Sequence, residues 1–453
     1  MIKLPQQSQN IIKTLQKAGF EAYTVGGSVR DLLIGKSTSR WDFTTNAKPE
    51  EILKLFPDSF YDNQFGTVGI KVTDDVYEIT TYRSEKGYTD HRHPDKITWG
   101  SSIEEDLSRR DFTINAIAFD GKNLIDPYDG QRDIKKQLIK TVGDADSRFN
   151  EDALRLMRAI RIASELGFAI DEQTSLAIKK NAQGLSKISA ERIRDELFKL
   201  LASPHAADGI LVLKNTGLLK HIIPEFGIAF DTPQKSPKRH HIYDVGTHSI
   251  MALKHCSSTD PVVRLATLLH DIGKPKTFKK DETKLITFYN HEVVGARITK
   301  TIAERLRLSR KDAEKLFILV RWHQFTVDER QTDSALRRFI RRVGKENLND
   351  MLALRIGDRL GGGARETSWR LELFKKRLIE VQKQPFTVSD LKISGHDVMK
   401  AFGIKPGPTV GKVLNLLFAD VEAGKLLNKK ENLLKRIEEL KLVGVSSLTV
   451  PKE

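Results

Sequence analysis

The sequence predicts an α+β protein, with a small head of mixed sheet and helices followed by an all-α neck, body and tail. Three observations carry this. Residues 20–45, FEAYTVGGSVRDLLIGKSTSRWDFTT, run from a β-favouring stretch through a glycine turn and a short helix-like segment to a second strand-like stretch. Two further strand-like runs follow, FGTVGIKV and DDVYEITTYRSE, the second with clear alternation. From about residue 146 apolar residues recur at helical spacing, as in RFNEDALRLMRAIRIASELGF and ISAERIRDELFKLL. At 453 residues the chain is too long for one core, so two to four domains are expected. The boundaries read as a head over 1–145, a neck over 146–225, a histidine-bearing body over 226–365 and a tail over 366–453.

Composition narrows the class. Hydrophobic content of 39% and charged content of 30% describe a soluble globular chain rich in exposed helix. No apolar run approaches the ~18 residues of a membrane span. The opening MIKLPQQSQNIIKTL lacks the apolar core of a secretory signal, so none is expected. The single cysteine, Cys256, excludes an internal disulfide and a thiolate metal cage, and fits a reducing cytoplasm. Lys and Arg number 75 against 60 acids, a net charge of +15. That suits a polyanion partner such as RNA, or a lysine-rich solvated surface; charge alone leaves both open.

In the head, Ala22 to Val25 lead into Gly26-Gly27-Ser28, then a helical segment from Val29 to Ile34, a break at Gly35, and Trp41-Asp42-Phe43. Glycines at such a turn let backbone N–H groups approach a phosphate, and the following helix N-terminus favours the anion. An acid on the next strand, Asp42, can hold Mg²⁺ against that phosphate. NAKPEEILKLF reads as a helix with Ile52, Leu53, Leu55 and Phe56 inward. On the strand that follows, Glu78 lies on the face opposite Tyr77 and Ile79, as a third site for a carboxylate near the metal or as a solvated strand residue. Residues 84–107 read as a long polar loop, with His91 and His93 on its surface. SIEEDLSRRDFTINAIAF sets Arg109 and Arg110 beside a segment that must be buried; a guanidinium fork suits triphosphate oxygens, or the pair forms a surface salt bridge with Asp111.

GGSVRDLLIG, WDFTTNAKPEEI and RRDFTINA together resemble the head of the tRNA nucleotidyltransferases, the CCA-adding enzymes, within the polymerase-β-like superfamily. The resemblance implies that Asp42 and Glu78 are catalytic and hold Mg²⁺. It further implies that Gly27 and Arg30 cradle the triphosphate, with Arg110 on the nucleotide and Arg109 in support. One departure stands out. The family carries an Asp-x-Asp pair, and here that spacing falls on Arg40-Trp41-Asp42, so Arg40 occupies the place of the first acid.

In the neck, RFNEDALRLMRAIRIASELGF reads as one amphipathic helix with Leu154, Met157, Ile160 and Leu166 buried. Asp152, Arg155, Arg158 and Arg161 recur by threes and trace a second stripe. The set could hydrogen-bond the Watson–Crick edge of a base, or form a salt-bridge ladder on a solvated face. Glu151-Asp152-Ala153-Leu154-Arg155 is similar to the Glu-Asp-x-x-Arg motif of the class II members of the same family. That likeness implies base selection by Asp152 and Arg155, with Arg158 and Arg161 around the nucleotide. His221, in TGLLKHIIPEF, reads as structural.

The body carries His248, His270, Asp271, His291, His323 and Asp358, each on or beside an apolar, helix-like segment. Imidazole and carboxylate donors in this number suit a divalent transition metal or a pair of them. LLHDIGKP resembles the HD phosphohydrolase superfamily. The likeness implies that His248, His270, Asp271 and Asp358 form the basic ligand set, that His291 and His323 add a second metal, and that a metal-activated hydroxide hydrolyses phosphoesters. His240, His241 and His255 stay unassigned.

The tail, with ISGHDVM and GIKPGPTVGKVL, is similar to the tRNA-binding end of the same family. Lys405, Lys412, Lys425, Lys429 and Lys430 would contact phosphates or form a solvated basic face, and His396 fits a helix start. The whole pattern implies addition of C and A to the tRNA 3′ end from CTP and ATP with Mg²⁺, by a monomer or homodimer with no membrane attachment. The rivals are an HD phosphohydrolase whose head only binds nucleotide or RNA because of Arg40, and a CC-adding, A-adding or poly(A) polymerase relative.

Overall fold

A computed structural model describes residues 3–38, 41–61, 66–72, 75–86, 96–99, 102–235, 243–282, 285–325, 328, 330–382 and 388–443. Arg40, His91, His93, His240 and His241 lie outside them.

The head opens with helix α1 (Gln6–Lys17), strand β1 (Ala22–Val25), helix α2 (Gly27–Leu33), strand β2 (Asp42–Thr45) and helix α3 (Pro49–Leu55). Strands β3 (Ser59–Tyr61), β4 (Thr67–Val72) and β5 (Asp75–Thr81) follow. Next come β6 (Arg83–Lys86), β7 (Lys96–Trp99), helix α4 (Ile103–Ser108), β8 (Ala118–Phe119), β9 (Leu124–Ile125) and α5 (Gly130–Lys135). Seven strands form one sheet in the order β3-β4-β5-β2-β1-β8-β9. Only β2 and β5 run parallel; the other neighbours are antiparallel. The α3 start is set by Pro49 at its first position and by Glu51, whose carboxylate accepts the Lys48 N–H at 2.7 Å. One face of the sheet buries Phe43 and Ile79 with Val29, Ile52 and Leu15. The other buries Val25 and Ala118 with Tyr82, Leu107 and Val142.

Of the stretch expected as a polar loop over 84–107, residues 87–95 and 100–101 lie outside the described residues. The described parts are not loop: β6 and β7 pair antiparallel, and α4 follows with Ser102 as its N-cap. Pairing of the backbone satisfies hydrogen bonds that composition does not report.

The neck comprises α6 (Ala145–Glu151), α7 (Leu154–Leu166), α8 (Glu172–Asn181), α9 (Ala190–Ala202), α10 (Ala206–Asn215) and α11 (Leu219–Ile222). The single helix expected over 148–168 is two helices. Asp152 leaves the helical region at φ −141°, ψ 104°, and its Oδ1 accepts the Leu154 N–H at 3.0 Å. A short acidic side chain that bonds the backbone two residues on favours a break over a helix interior. Helix α7 then buries Leu154, Leu156, Met157, Ile160 and Ile162, each burial contributing about 1.5–3 kcal/mol.

The body consists of α12 (Val245–Lys254), α13 (Pro261–Leu269), α14 (Lys274–Thr277), α15 (His291–Arg305), α16 (Arg310–Trp322), α17 (Asp333–Val343) and α18 (Leu348–Gly361). The tail holds α19 (Trp369–Val381), α20 (Gly395–Phe402), α21 (Pro408–Glu422) and α22 (Lys430–Val443). One apolar core runs from the head through the body to α19. A second, around Val398, Val413, Leu417, Leu433 and Ile437, belongs to the tail. Among the described residues, no helix is long and apolar enough to cross a membrane.

Candidate active site and metal centre

The glycine turn places the head's acids. Asp42 pairs in register with Val25 on one side and with Glu78 on the other, so β2 sets the two carboxylate-bearing residues side by side on parallel strands. Both are exposed at the sheet surface. Residues paired in this way project to the same face, so two adjacent carboxylates are a donor set that fits a divalent cation.

Of the two glycines in the turn, Gly26 is the one whose backbone requires glycine. Its φ of 75° with ψ of −140° is a conformation that side chains disfavour. A Cβ there would lie 3.1 Å from Arg110 Nη1 and 3.6 Å from Asp42 Oδ2. Gly27 instead opens α2. Arg30 is buried; its Nη1 donates to Asn115 Oδ1 at 2.8 Å and its Nη2 to Asp31 Oδ1 at 2.8 Å.

The two arginines share an anchor that the sequence did not single out. Asp106 is fully buried; it accepts from Arg109 at 2.6 Å and from Arg110 at 3.2 Å. Burial pushes its carboxyl up, but the Arg109 and Arg110 charges outweigh this and hold it below the usual range. Asp111 plays the same part toward the neck. Arg158 Nε donates to its Oδ2 at 2.9 Å and Asn115 Nδ2 to its Oδ1 at 3.0 Å. Burial again opposes ionisation, and the Arg158 charge again prevails.

The stripe on the neck therefore meets the head through specific contacts. Arg155 donates to the Arg109 carbonyl at 3.2 Å and to Glu151 at 2.5 Å. Asp152 stands outside α7 and accepts from Arg192 at 2.8 Å. Arg161 donates to Glu196 of α9 at 2.5 Å and to Glu165, one turn on in α7 itself, at 2.7 Å. Arg155 is thus joined to Arg109 and Arg158 to the neighbouring Asp111, whereas the bonds of Arg161 stay within the neck. Arg192 and Glu196 escaped the sequence reading because their partners Asp152 and Arg161 are 40 and 35 residues away, whereas Asp106 precedes Arg109 and Arg110 by three and four residues, a helical spacing that could have pointed to it.

The body brings together all six expected donors. His248 Nε2 lies 3.0 Å from Asp358 Oδ1 and 3.7 Å from Asp271 Oδ2. His270 Nε2 lies 3.2 Å from Asp271 Oδ2 and 3.6 Å from Asp358 Oδ1. On the other side, His291 and His323 approach Asp271 Oδ1 at 3.2 Å and 3.6 Å, and each other at 3.3 Å. Asp271 stands between the two sets.

Local structure explains the convergence. His270 and His323 sit at the C-terminal ends of α13 and α16, and His291 opens α15. Their Nδ1 atoms lie 2.8 Å from the carbonyls of Thr267, Val320 and Phe288. In neutral imidazole this contact places the proton on Nδ1 and the lone pair on Nε2. Gly273 permits the close approach of α15, for a Cβ there would be 2.1 Å from the His291 carbonyl oxygen. His248-His270-Asp271 and Asp271-His291-His323 form two buried groups whose donor atoms lie within 4.8 Å of one another. Buried nitrogen and oxygen donors in two sets about one carboxylate fit a pair of divalent transition metals. Without a metal, burial opposes the charge on His270, but the Asp271 carboxylate outweighs it and the imidazole is pushed up to about 10. His255 is exposed and takes no part.

In the tail, Lys405, Lys412, Lys425, Lys429 and Lys430 are all exposed. His396 is the second residue of α20 (Gly395–Phe402), whose start Ser394 and Asp397 cap reciprocally.

Segments of this chain, and the chain as a whole, resemble known proteins. The model of the poly A polymerase head domain matches residues 22–140. That of the probable RNA and SrmB-binding site of polymerase A matches 167–228. That of the putative tRNA nucleotidyltransferase domain 2 matches 294–437. A CCA-adding enzyme of Geobacillus kaustophilus is 48% identical over 219 residues, so that the match spans 48% of this chain and about half, 54%, of the relative. That of Geobacillus sp. (strain WCH70) is 34% identical over 431 residues, 94% of this chain and 95% of the relative. The crystal structure of the Bacillus stearothermophilus CCA-adding enzyme in complex with CTP superposes with a TM-score of 0.72 at 29% identity, covering 97% of this chain and 98% of that one. On the full-length likeness to the second relative and the agreement of fold, the chain belongs to the family of the CCA-adding enzymes.

Proposed function

We propose that this chain is a nucleotidyltransferase that adds C and A to the 3′ end of tRNA, taking CTP and ATP in the head without a nucleic-acid template. The observation that carries this reading is the pairing of Asp42 with Glu78 beside Gly26 and Arg110, with the Arg158-bearing helix joined to the same segment through Asp111. Mg²⁺ held by the two carboxylates would activate the attacking 3′-hydroxyl and steady the departing pyrophosphate. Arg110, anchored by Asp106, binds triphosphate oxygens with its remaining donors. Asp152, Arg155 and Arg158 read the base edge, exchanging their present partners Arg192, Glu151 and Asp111 for it. Gly27 and Arg30 cradle the triphosphate, and Arg161, held in the neck by Glu165 and Glu196, lies around the nucleotide. The tail lysines Lys405, Lys412 and Lys429 hold the tRNA backbone. Head, neck, body and tail divide at 145, 225 and 365, and the enzyme works in the cytoplasm.

The test is incorporation of α-³²P-labelled CTP and ATP into tRNA lacking its CCA end. Wild-type incorporation that is lost in Asp42→Ala supports the reading; no incorporation by the wild type refutes it. Arg40 occupies the place of the family's first acid, and we expect Arg40→Asp to raise the rate by about tenfold or more, because a guanidinium repels a cation at a few ångströms. A homopolymer tail as product would identify a poly(A) polymerase instead.

The two donor sets around Asp271 favour a second activity, metal-dependent hydrolysis of a phosphoester in the body. His248, His270, Asp271 and Asp358 would hold one transition metal, and His291 and His323 with Asp271 a second. When bound, such ions supply an activated water at neutral pH. Release of phosphate from p-nitrophenyl phosphate, dependent on added Mn²⁺ or Ni²⁺ and absent in Asp271→Asn, tests this independently of the head.

A further inference from the structure

Arg355 is a cation of the body that the metal-ligand set does not use. It lies on α18 one turn before Asp358, and its Nη1 donates to Asp358 Oδ2 at 3.0 Å. The other oxygen of that carboxylate, Oδ1, faces His248 and His270. Asp358 therefore joins the histidines on one side to Arg355 on the other. In front of both opens a cavity of about 400 Å³, lined by His270, Asp271, His291, His323, Arg355 and Asp358 among others.

The other basic side chain in the lining is already engaged. Lys274 Nζ lies 2.6 Å from Asp271 Oδ2 and donates to Gln234 Oε1 at 2.5 Å. Arg355 has more donors than acceptors. A guanidinium carries five N–H groups in a planar fork. Its Nε is buried and has no hydrogen-bond partner among the described residues. The guanidinium packs over the Phe325 ring at 5.6 Å, which limits its motion, and 24% of the side chain remains exposed. A held, partly exposed fork at the wall of a cavity is suited to a tetrahedral oxyanion, which accepts from two nitrogens at once.

We propose that Arg355 binds and orients the anionic phosphoester group in this cavity, separately from the metal ligands. The proposal rests on reading the cavity as a phosphoester site. Arg355 holds the phosphoryl oxygens on the side of Asp358 that faces away from the histidines, and its bond to Asp358 Oδ2 fixes where the fork sits.

The experiment measures inorganic phosphate binding to the Mn²⁺-loaded full chain by calorimetry, with metal content determined on the same samples. Arg355→Ala is expected to keep the wild-type metal content and to weaken phosphate binding by about tenfold or more. Arg355→Lys restores part of the loss, since it returns the charge without the fork. Phosphate affinity unchanged in Arg355→Ala overturns the proposal, as does a wild-type chain that binds no phosphate. A weakening matched by loss of metal also overturns it, because Arg355 would then only brace Asp358. If Arg355→Ala melts well below the wild type, Arg355→Lys alone decides, by its phosphate affinity at unchanged metal content. Hydrolysis of p-nitrophenyl phosphate, followed in parallel, separates the two ideas: no turnover with phosphate binding intact refutes the hydrolytic activity but leaves the role of Arg355 standing.

Discussion

Replacing Gly26 by alanine tests the geometry of the head most directly. At φ 75° and ψ −140°, Gly26 is in a region where an L side chain costs about 1–3 kcal/mol. The new methyl would also stand 3.1 Å from Arg110 Nη1, closer than an unstrained contact, and 3.6 Å from Asp42 Oδ2. The guanidinium is the far end of a long side chain and gives way by a few tenths of an ångström. It does so against its 3.2 Å bond to Asp106. Stability falls by about 1–3 kcal/mol, and because the turn is local the fold persists. Activity falls further, since a small misplacement of groups that position a triphosphate costs about 10–100-fold in rate. The assay is kcat/KM for CTP incorporation into tRNA lacking its CCA end, alongside urea unfolding. Gly27→Ala is the comparison, for Gly27 is at an ordinary helical start and its added methyl would sit 3.4 Å from Arg30 Nη2. Wild-type turnover by Gly26→Ala, or a greater loss in Gly27→Ala, would refute the assignment of the strained position to Gly26.

Three other outcomes follow from the same geometry. Asp106→Ala removes a fully buried carboxylate that balances Arg109 and Arg110; it should cost about 3 kcal/mol in urea unfolding and raise the KM for nucleotide, whereas unchanged stability would mean the arginines re-pair elsewhere. In the body, His270 is pushed up to about 10 without metal, so its proton stabilises the metal-free fold fully below pH ~6.5 and ceases to as pH rises toward 10. A cation must displace that proton, so Mn²⁺ affinity measured by calorimetry should rise about tenfold per pH unit between pH ~6.5 and ~9, and a flat profile would contradict it. In the tail, alanine at Lys405, Lys412 and Lys429 together should weaken tRNA binding and reduce the salt slope by about one unit for each phosphate no longer neutralised; an unchanged slope would leave them as a solvated face.

The sequence by itself determined the fold class and marked out the residues that the structure then brings together. Alternation and glycine punctuation placed β1, α2, β2 and β5, because period and turn chemistry are local properties of the chain. The donors of the body were legible as a series, since few other reasons place histidines and aspartates repeatedly on apolar helices. What only the tertiary structure decided were the pairings. It broke the neck helix at Asp152, where a side-chain bond to the backbone competes with the helix, and periodicity carries no sign of that competition. It showed which of the two glycines in the turn carries the positive φ, Gly26, because that depends on the path of the flanking strand and helix. It gave Arg158 its partner in Asp111 and set Asp271 between two pairs of histidines. Arg155 on α7 and the Arg109 carbonyl are 46 residues apart in the chain. Pairings of this range are fixed by packing of the cores, and no local pattern in the sequence encodes them.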